Sequence, residues 1–268
     1  MDIARKFKNK LSGAKVYAIT SGKGGVGKTS IAVNLSIILN KAGLKVLLID
    51  ADMGLANVDL LTGVSAHHTI EEVVAGKASI FDALAEGPEN LTILSAGSGL
   101  GRMNDMVEGK IINFREELLK LENAFDMIFI DTGAGISANV IDFVFMADEV
   151  IIIMTHEPTA FADAYAMVKV VSMEKPLMNV GMVINYSKNE KESKIIFDKF
   201  SEIVFRFLKK DIIYHGSVAY DKAVADAVVR QIPLALYADK SSSMQSIRKI
   251  ARNLLGIENT KQQTIFNR

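Results

Sequence analysis

Cysteine is absent from the 268 residues. That excludes structural disulfides and thiolate metal sites, and it suits a reducing, cytoplasmic setting. Excess charge is absent too, because 31 basic side chains balance 31 acidic ones. A dedicated DNA or RNA binder usually carries a basic excess or stripe, so nucleic acid is not an expected partner. No apolar run approaches the roughly 18 residues that a bilayer-spanning helix needs, and the first residues are too polar for a secretory leader. What the chain does have is apolar residues, 49% against 23% charged. This is enough for a large buried sheet and is not the profile of a disordered chain. Strand and helix patterns alternate along the length. They predict one α/β domain, a doubly wound, mainly parallel sheet flanked by helices, over residues 13–257.

One stretch organises that pattern. Lys15–Ser21 reads as a strand and leads into Gly22-Lys23-Gly24-Gly25-Val26-Gly27-Lys28-Thr29, followed by Ser30. The run fits G-x-x-x-x-G-K-[ST], a phosphate-binding loop between a strand and a helix. Glycines let the backbone approach a phosphate without a Cβ in the way, and successive N–H groups then face the anion. Lys28 is expected at the β- and γ-phosphates, and the Thr29 hydroxyl on Mg²⁺. Lys23 is a second cation beside the polyphosphate, where developing charge needs a partner.

Two further strands deliver carboxylates to the same edge. Lys45–Asp50 is a continuous apolar run ending in Asp50, with Asp52 just beyond it. A carboxylate there orients a water or holds magnesium; capping a helix that starts near Gly54 is the alternative for Asp52. Phe125–Asp131 is a second apolar strand ending in an acid, the arrangement in which Asp131 holds Mg²⁺. Thr132-Gly133-Ala134-Gly135 then offers backbone N–H groups where a γ-phosphate would end, as a conformational switch requires.

The rest of the chain is less specific. A helix is expected over 30–42 with Gly43 as its stop, another over 105–122, a third over 159–174 behind Pro158, and a fourth over 189–208. Residues 60–90 read as short helical patterns and loops, with His67 and His68 solvated, and Gly97–Gly101 as a flexible loop. A strand over 178–186 ends near Asn185, and a strand over 211–216 precedes a loop, Ser217–Asp221. The last helix, about 241–256, reads as a core cover with a basic outer face; a weak membrane contact is the alternative. Residues 1–12 place Ile3, Phe7 and Leu11 on one face and Arg5, Lys6, Lys8 and Lys10 around it, a basic amphipathic arm or a solubilising terminus. Residues 258–268 read as a polar tail.

The K-G-G-x-G-K-T loop, with its extra Lys23, resembles the family of MinD, ParA and the nitrogenase iron protein, and the likeness extends from Lys15 to about Gly256. It implies an ATP-dependent homodimer in which Lys23 reaches the partner subunit's nucleotide. It also implies that Asp52 positions the attacking water, Asp50 supports the magnesium shell and the Asn185 amide reads adenine. Val218, Ala219 and Tyr220 would lie over the base. With no N-K-x-D guanine motif, ATP is expected over GTP. The runs Asp50–Asp59 and Asp131–Ser137 are similar to the flagellar branch, FlhG, which sets flagellar number and position. Members of that branch often begin D-Q-A-x-x-L, an arm that stimulates an FlhF-type GTPase. Here Asp2, Ala4 and Phe7 match but Ile3 stands where Gln is expected. The resemblance thus implies an FlhF-type GTPase and flagellar switch or regulatory proteins as partners.

Overall fold

A computed structural model describes residues 13–52, 57–96, 108–121 and 123–257. The expectations for the arm 1–12, for Met53–Ala56 in the switch segment, for the glycine run 97–101 and for the tail 258–268 lie outside the described residues.

The described residues form an eight-stranded sheet in the order β3-β4-β2-β5-β1-β6-β7-β8. The strands are β1 (Lys15–Ser21), β2 (Val46–Ala51), β3 (Leu84–Glu86), β4 (Thr92–Leu94), β5 (Met127–Ala134), β6 (Glu149–Met154), β7 (Asn179–Ser187) and β8 (Ile213–Ala219). All neighbours run parallel except β3, which pairs antiparallel with β4 at one edge. The central strands β1, β2, β5 and β6 are buried almost throughout, as a sheet covered on both faces demands.

Helix α1 (Lys28–Lys41) starts inside the phosphate-loop motif, two residues earlier than the sequence pattern suggests, and stops at Gly43, whose φ of +90° only glycine adopts without strain. The helices α2 (Asn57–Thr62), α3 (Ile70–Val74) and α4 (Glu108–Leu119) lie in the first half; α4 ends at Leu119, before the expected 122, and the expected start at 105 lies outside the described residues. After them come α5 (Ala138–Val144), α6 (Pro158–Glu174), α7 (Glu190–Leu208), α8 (Lys222–Val229), α9 (Leu234–Tyr237) and α10 (Ser242–Leu254).

Each helix buries one apolar stripe. Ile31, Leu35 and Leu39 of α1 join Met244, Ile247 and Ile250 of α10 on one face of the sheet. On the other face, Val168 and Val171 of α6 pack with Phe197, Phe200 and Val204 of α7, and Phe114 of α4 meets Phe143 of α5 edge to face. Each such side chain contributes about 1.5–3 kcal/mol by leaving water. Side-chain oxygens of Thr69, Asn189, Asp221 and Ser241 cap α3, α7, α8 and α10. The cap on α3 uses Glu72, which also lies 3.3 Å from His68, so His68 has a carboxylate neighbour where free solvation was expected.

Residues 217–219, expected as a loop, instead continue β8. Ala219 pairs with Ser187, its N–H donates to the Ser246 hydroxyl, and its carbonyl accepts from the Ser243 hydroxyl. Two serines of α10 thus supply the hydrogen bonds that prolong the strand. Among the described residues no helix is long and apolar enough to cross a membrane.

Candidate nucleotide site

The loop after β1 lies at the C-terminal edge of the sheet, the edge at which open α/β sheets bind ligands. Its glycines have distinct reasons. Gly25 and Gly27 sit at φ +76° and +90°, the left-handed region that penalises a side chain. A Cβ on Gly22 would overlap the backbone of Asp163 in α6, and one on Gly27 would overlap the Asn185 amide. The Ser21 hydroxyl donates to the Lys23 carbonyl at 2.6 Å and tightens the entry to the loop. Lys28 is buried at the start of α1, whereas Lys23 is exposed.

Beside the loop, Asp50 and Asp131 stand in register on neighbouring strands, both fully buried. Neither Asp131 oxygen has a hydrogen-bond partner of good geometry among the described residues. Burial raises its pKa to about 7, against the pull of the nearby Thr29 hydroxyl and the Lys28 charge. An orphaned buried carboxylate next to a threonine hydroxyl fits a hard divalent cation, whose ligands are oxygens. Asp50 is different. Its oxygens accept from the Asp52 N–H at 3.0 Å and the Val58 N–H at 3.1 Å, so its carboxylate braces both ends of the switch segment. Burial and the Asp131 charge still hold its pKa well above the usual carboxylate range.

Asp52 meets the second switch. A Cβ at Gly133 would lie 3.3 Å from Val140 and 3.6 Å from Asp52 Oδ1, so Gly133 stands within van der Waals reach of this carboxylate. Of the N–H groups expected to face a γ-phosphate, that of Gly135 is already spent on the Ser21 carbonyl, at 2.8 Å. The Thr132 hydroxyl is likewise spent on the chain, donating toward the Ile19 carbonyl at 3.2 Å.

Asn185 is buried against the phosphate loop. Its Nδ2 donates to the Val26 carbonyl at 2.8 Å and its Oδ1 accepts from the Tyr186 N–H at 2.8 Å. The amide thus anchors the loop and has one N–H and one lone pair beyond these two bonds. Tyr220 follows β8, and its N–H donates to the Ser187 carbonyl. Val218 is buried in β8 and Ala219 ends it, leaving Tyr220 as the exposed member of the expected base-covering trio.

Three neighbours escape a local reading of the sequence. Lys23 Nζ donates to Glu157 Oε2 at 2.6 Å, and that bond holds the Lys23 pKa above its usual value. Glu157 is the residue just before α6, where an anion faces the helix N-terminus. Asp163, on the same helix, packs on Gly22. Tyr186 adopts a left-handed φ of +54°, unusual for an aromatic residue. Its hydroxyl reaches toward the Gly25 carbonyl at 3.4 Å and its ring meets Tyr220 edge to face. The one available signal was Tyr186 following Asn185 at a strand end; nothing local marks Glu157 or Asp163.

Residues 14–197 match the family model described as an AAA domain. The chain is 32% identical over 240 residues to the antiactivator FleN of Pseudomonas aeruginosa, covering 90% of this chain and 86% of that protein. It is 31% identical over 246 residues to the flagellum site-determining protein YlxH of Helicobacter pylori, covering 91% and 83%. Among solved structures, the septum site-determining protein MinD of Pyrococcus horikoshii, complexed with Mg-ADP, superposes with a TM-score of 0.74 at 25% identity, covering 93% of this chain and 99% of that one. With the phosphate loop, the buried acid at the end of β5 and the eight-stranded sheet in place, the chain belongs to the MinD/ParA-type P-loop ATPases, proteins that bind and hydrolyse ATP.

Proposed function

We propose that this chain is a slow, magnesium-dependent ATPase that switches between monomer and ATP-bound homodimer, and that the switch regulates flagellar number and placement. The flagellar part rests on the similarity to FleN and YlxH. The switch part rests on one observation above others, the contrast between two lysines of one loop. Lys28 is buried beside Asp131, while Lys23 is turned outward to Glu157 at the surface. A lysine on the outside of its own loop supports a role at the nucleotide of a second subunit.

In this reading the loop N–H groups and Lys28 bind the triphosphate, and Thr29 and Asp131 hold the cation. Magnesium, when bound, neutralises charge building on the β- and γ-oxygens. Asp52 orients the attacking water. An aspartate is in general a weak base near neutral pH, so it positions water more than it removes a proton, and turnover is slow. Asp50 supports this arrangement by fixing the switch backbone. Residues 13–257 are the ATPase domain, 1–12 a partner-binding arm for an FlhF-type GTPase, and 258–268 a tail. The protein acts in the cytoplasm, peripherally at the membrane.

Asp52→Ala is expected to bind ATP, hydrolyse it at least 100-fold more slowly and accumulate as a dimer. Lys23→Ala is expected to stay monomeric. Sedimentation of Asp52→Ala in saturating Mg-ATP as an unchanged monomer would sink the switch. A division-site role is the second reading, favoured by the structural likeness to MinD. Deletion of the gene separates the two, since aberrant flagellar number supports the first and misplaced septa the second.

A further inference from the structure

Away from the phosphate loop, β3 closes one side of the sheet, pairing antiparallel with β4 through Leu84–Leu94, Ala85–Ile93 and Glu86–Thr92. Just past it, the Gly87 N–H donates to the Leu91 carbonyl at 2.7 Å. Hydrogen-bonded pairs alternate along an antiparallel ladder. Ala85 and Gly87 therefore bond toward β4, while Leu84 and Glu86 point their backbone groups away from it. The Leu84 N–H turns back to the Phe81 carbonyl at 3.4 Å. That leaves the Leu84 carbonyl and both backbone groups of Glu86 facing outward, with no strand beyond them among the described residues.

Beside this edge lies a cavity of about 470 Å³, within the range of roughly 300–1,000 Å³ that ligand sites span. Leu84, Ala85 and Glu86 line it from β3; Thr62, Ser65 and His67 line it from the end of α2 and the segment that follows. A short strand with an exposed acid is enough to discourage unwanted pairing, but that purpose needs no second wall. Charge adds an independent observation. Residues 62–90 hold five acids (Glu71, Glu72, Asp82, Glu86 and Glu89) and one base, Lys77, in a chain that is neutral overall. Glu72 caps α3, Asp82 accepts from the Ser79 hydroxyl, and Glu89 lies 3.5 Å from Lys41. Glu86 is exposed in the cavity lining and has no ion-pair partner among the described residues.

We propose that this groove binds an extended, basic segment of a partner protein, which adds to the sheet as a strand beyond β3. Main-chain bonds to Leu84 and Glu86 supply the affinity, and a Lys or Arg of the partner against Glu86 supplies selection. A helix would not serve, because its backbone groups are already paired within itself and cannot meet a strand edge. A flat aromatic ligand is disfavoured as well, since the lining holds no Phe, Tyr or Trp on which it could stack. Glu86 stands level with Thr92 and, through it, with Leu47, three residues before Asp50 in β2. An added strand there leaves the phosphate loop open. The inference does not depend on ATP hydrolysis.

The test is selection of random octapeptides on the full-length protein, followed by fluorescence anisotropy of the synthesised winner. The expected winners carry Lys or Arg with β-branched residues and lack proline. Methylating every second backbone amide of the winner should weaken binding by roughly ten-fold or more in one of the two registers. Glu86→Lys should weaken it by roughly ten-fold, and Glu86→Gln by less. ATP binding by calorimetry should be unchanged in both variants, which checks the fold and separates this proposal from the ATPase reading. No selected peptide, winners that are acidic or patterned as helices, indifference to methylation in both registers, or wild-type binding by Glu86→Lys would each overturn it. So would a clear gain in affinity on removing residues 1–12, or a nucleotide-free dimer that Glu86→Lys dissociates. The occupant would then be this chain's own arm or a second copy.

Discussion

Two places in this sheet bury carboxylates, with opposite outcomes. In the lower half, Glu149 of β6 and His215 of β8 meet across β7, with Nε2 and Oε1 2.5 Å apart and both side chains buried. They meet because the intervening residue is Gly181; a Cβ there would overlap the imidazole and crowd the carboxylate. At the upper edge, Asp50 and Asp131 stand side by side, Asp50 bonded only to backbone and Asp131 to nothing of good geometry. A buried charge satisfied within the chain holds the fold together. One that burial penalises and the chain leaves unpaired is held for something that binds.

The largest effect should come from breaking the satisfied pair. His215→Ala leaves Glu149 buried alone, and the cost is expected at about 3–5 kcal/mol of unfolding free energy. Gly181→Ala should also destabilise by forcing the two side chains apart. Urea titration measures the loss, and ATP affinity should stay near wild type because the pair is remote from the phosphate loop. A loss below about 1 kcal/mol would mean that the two groups contribute no more than a surface pair.

The unpaired acid should behave the other way. Burial pushes the Asp131 carboxyl from the ordinary aspartate range up to about 7, so the folded state binds its proton more tightly than the unfolded state. Its contribution is therefore least unfavourable at low pH, and stability falls as pH rises from about 4 toward 7, by at most about 4 kcal/mol. The shift in Asp50 acts in the same direction. Asp131→Asn should flatten this slope in melting curves of the nucleotide-free protein and raise its stability near neutrality, while lowering Mg-ATP hydrolysis at least 100-fold. If the variant is less stable than wild type at every pH, the comparison between the two sites fails.

The sequence made the upper site far more legible than its supports. Gly22–Thr29, Asp52 and Asp131 stand in short motifs, and the apolar runs at 45–50 and 125–131 overlap the strands β2 (Val46–Ala51) and β5 (Met127–Ala134), the latter running on through 132–134, which were expected as a loop. The contacts that were not legible join residues far apart in the chain, such as Lys23 with Glu157, Asn185 with Val26, and Glu149 with His215. Nothing in the local pattern around any of these residues specifies its partner. The same reason explains β8. Ser217-Val218-Ala219 has little strand character of its own, and serines from α10, two dozen residues later, make it a strand. The short antiparallel β3 escaped because three residues are too few to show a period.

The smallest expected effect tests a residue that belongs to both halves of the comparison. Asn185 is buried and paired, which marks it as structural, yet it lies at the nucleotide edge, where the family resemblance has it read adenine. Its bond to the Val26 carbonyl uses one of two N–H groups, and its bond from the Tyr186 N–H uses one of two lone pairs. The amide therefore retains a donor and an acceptor, the combination that an adenine edge requires. Asn185→Ala should weaken ATP binding by about 1–3 kcal/mol, the cost of leaving buried polar groups unpartnered. Calorimetry with both ATP and GTP separates the two roles. If the amide reads the base, ATP affinity falls more than GTP affinity and the wild-type preference for ATP narrows. If it only braces the loop, the two fall together, because a loosened Val26–Gly27 turn affects the phosphates that both nucleotides share. The expected result is a larger fall for ATP, with a smaller loss for GTP that reports the brace alone.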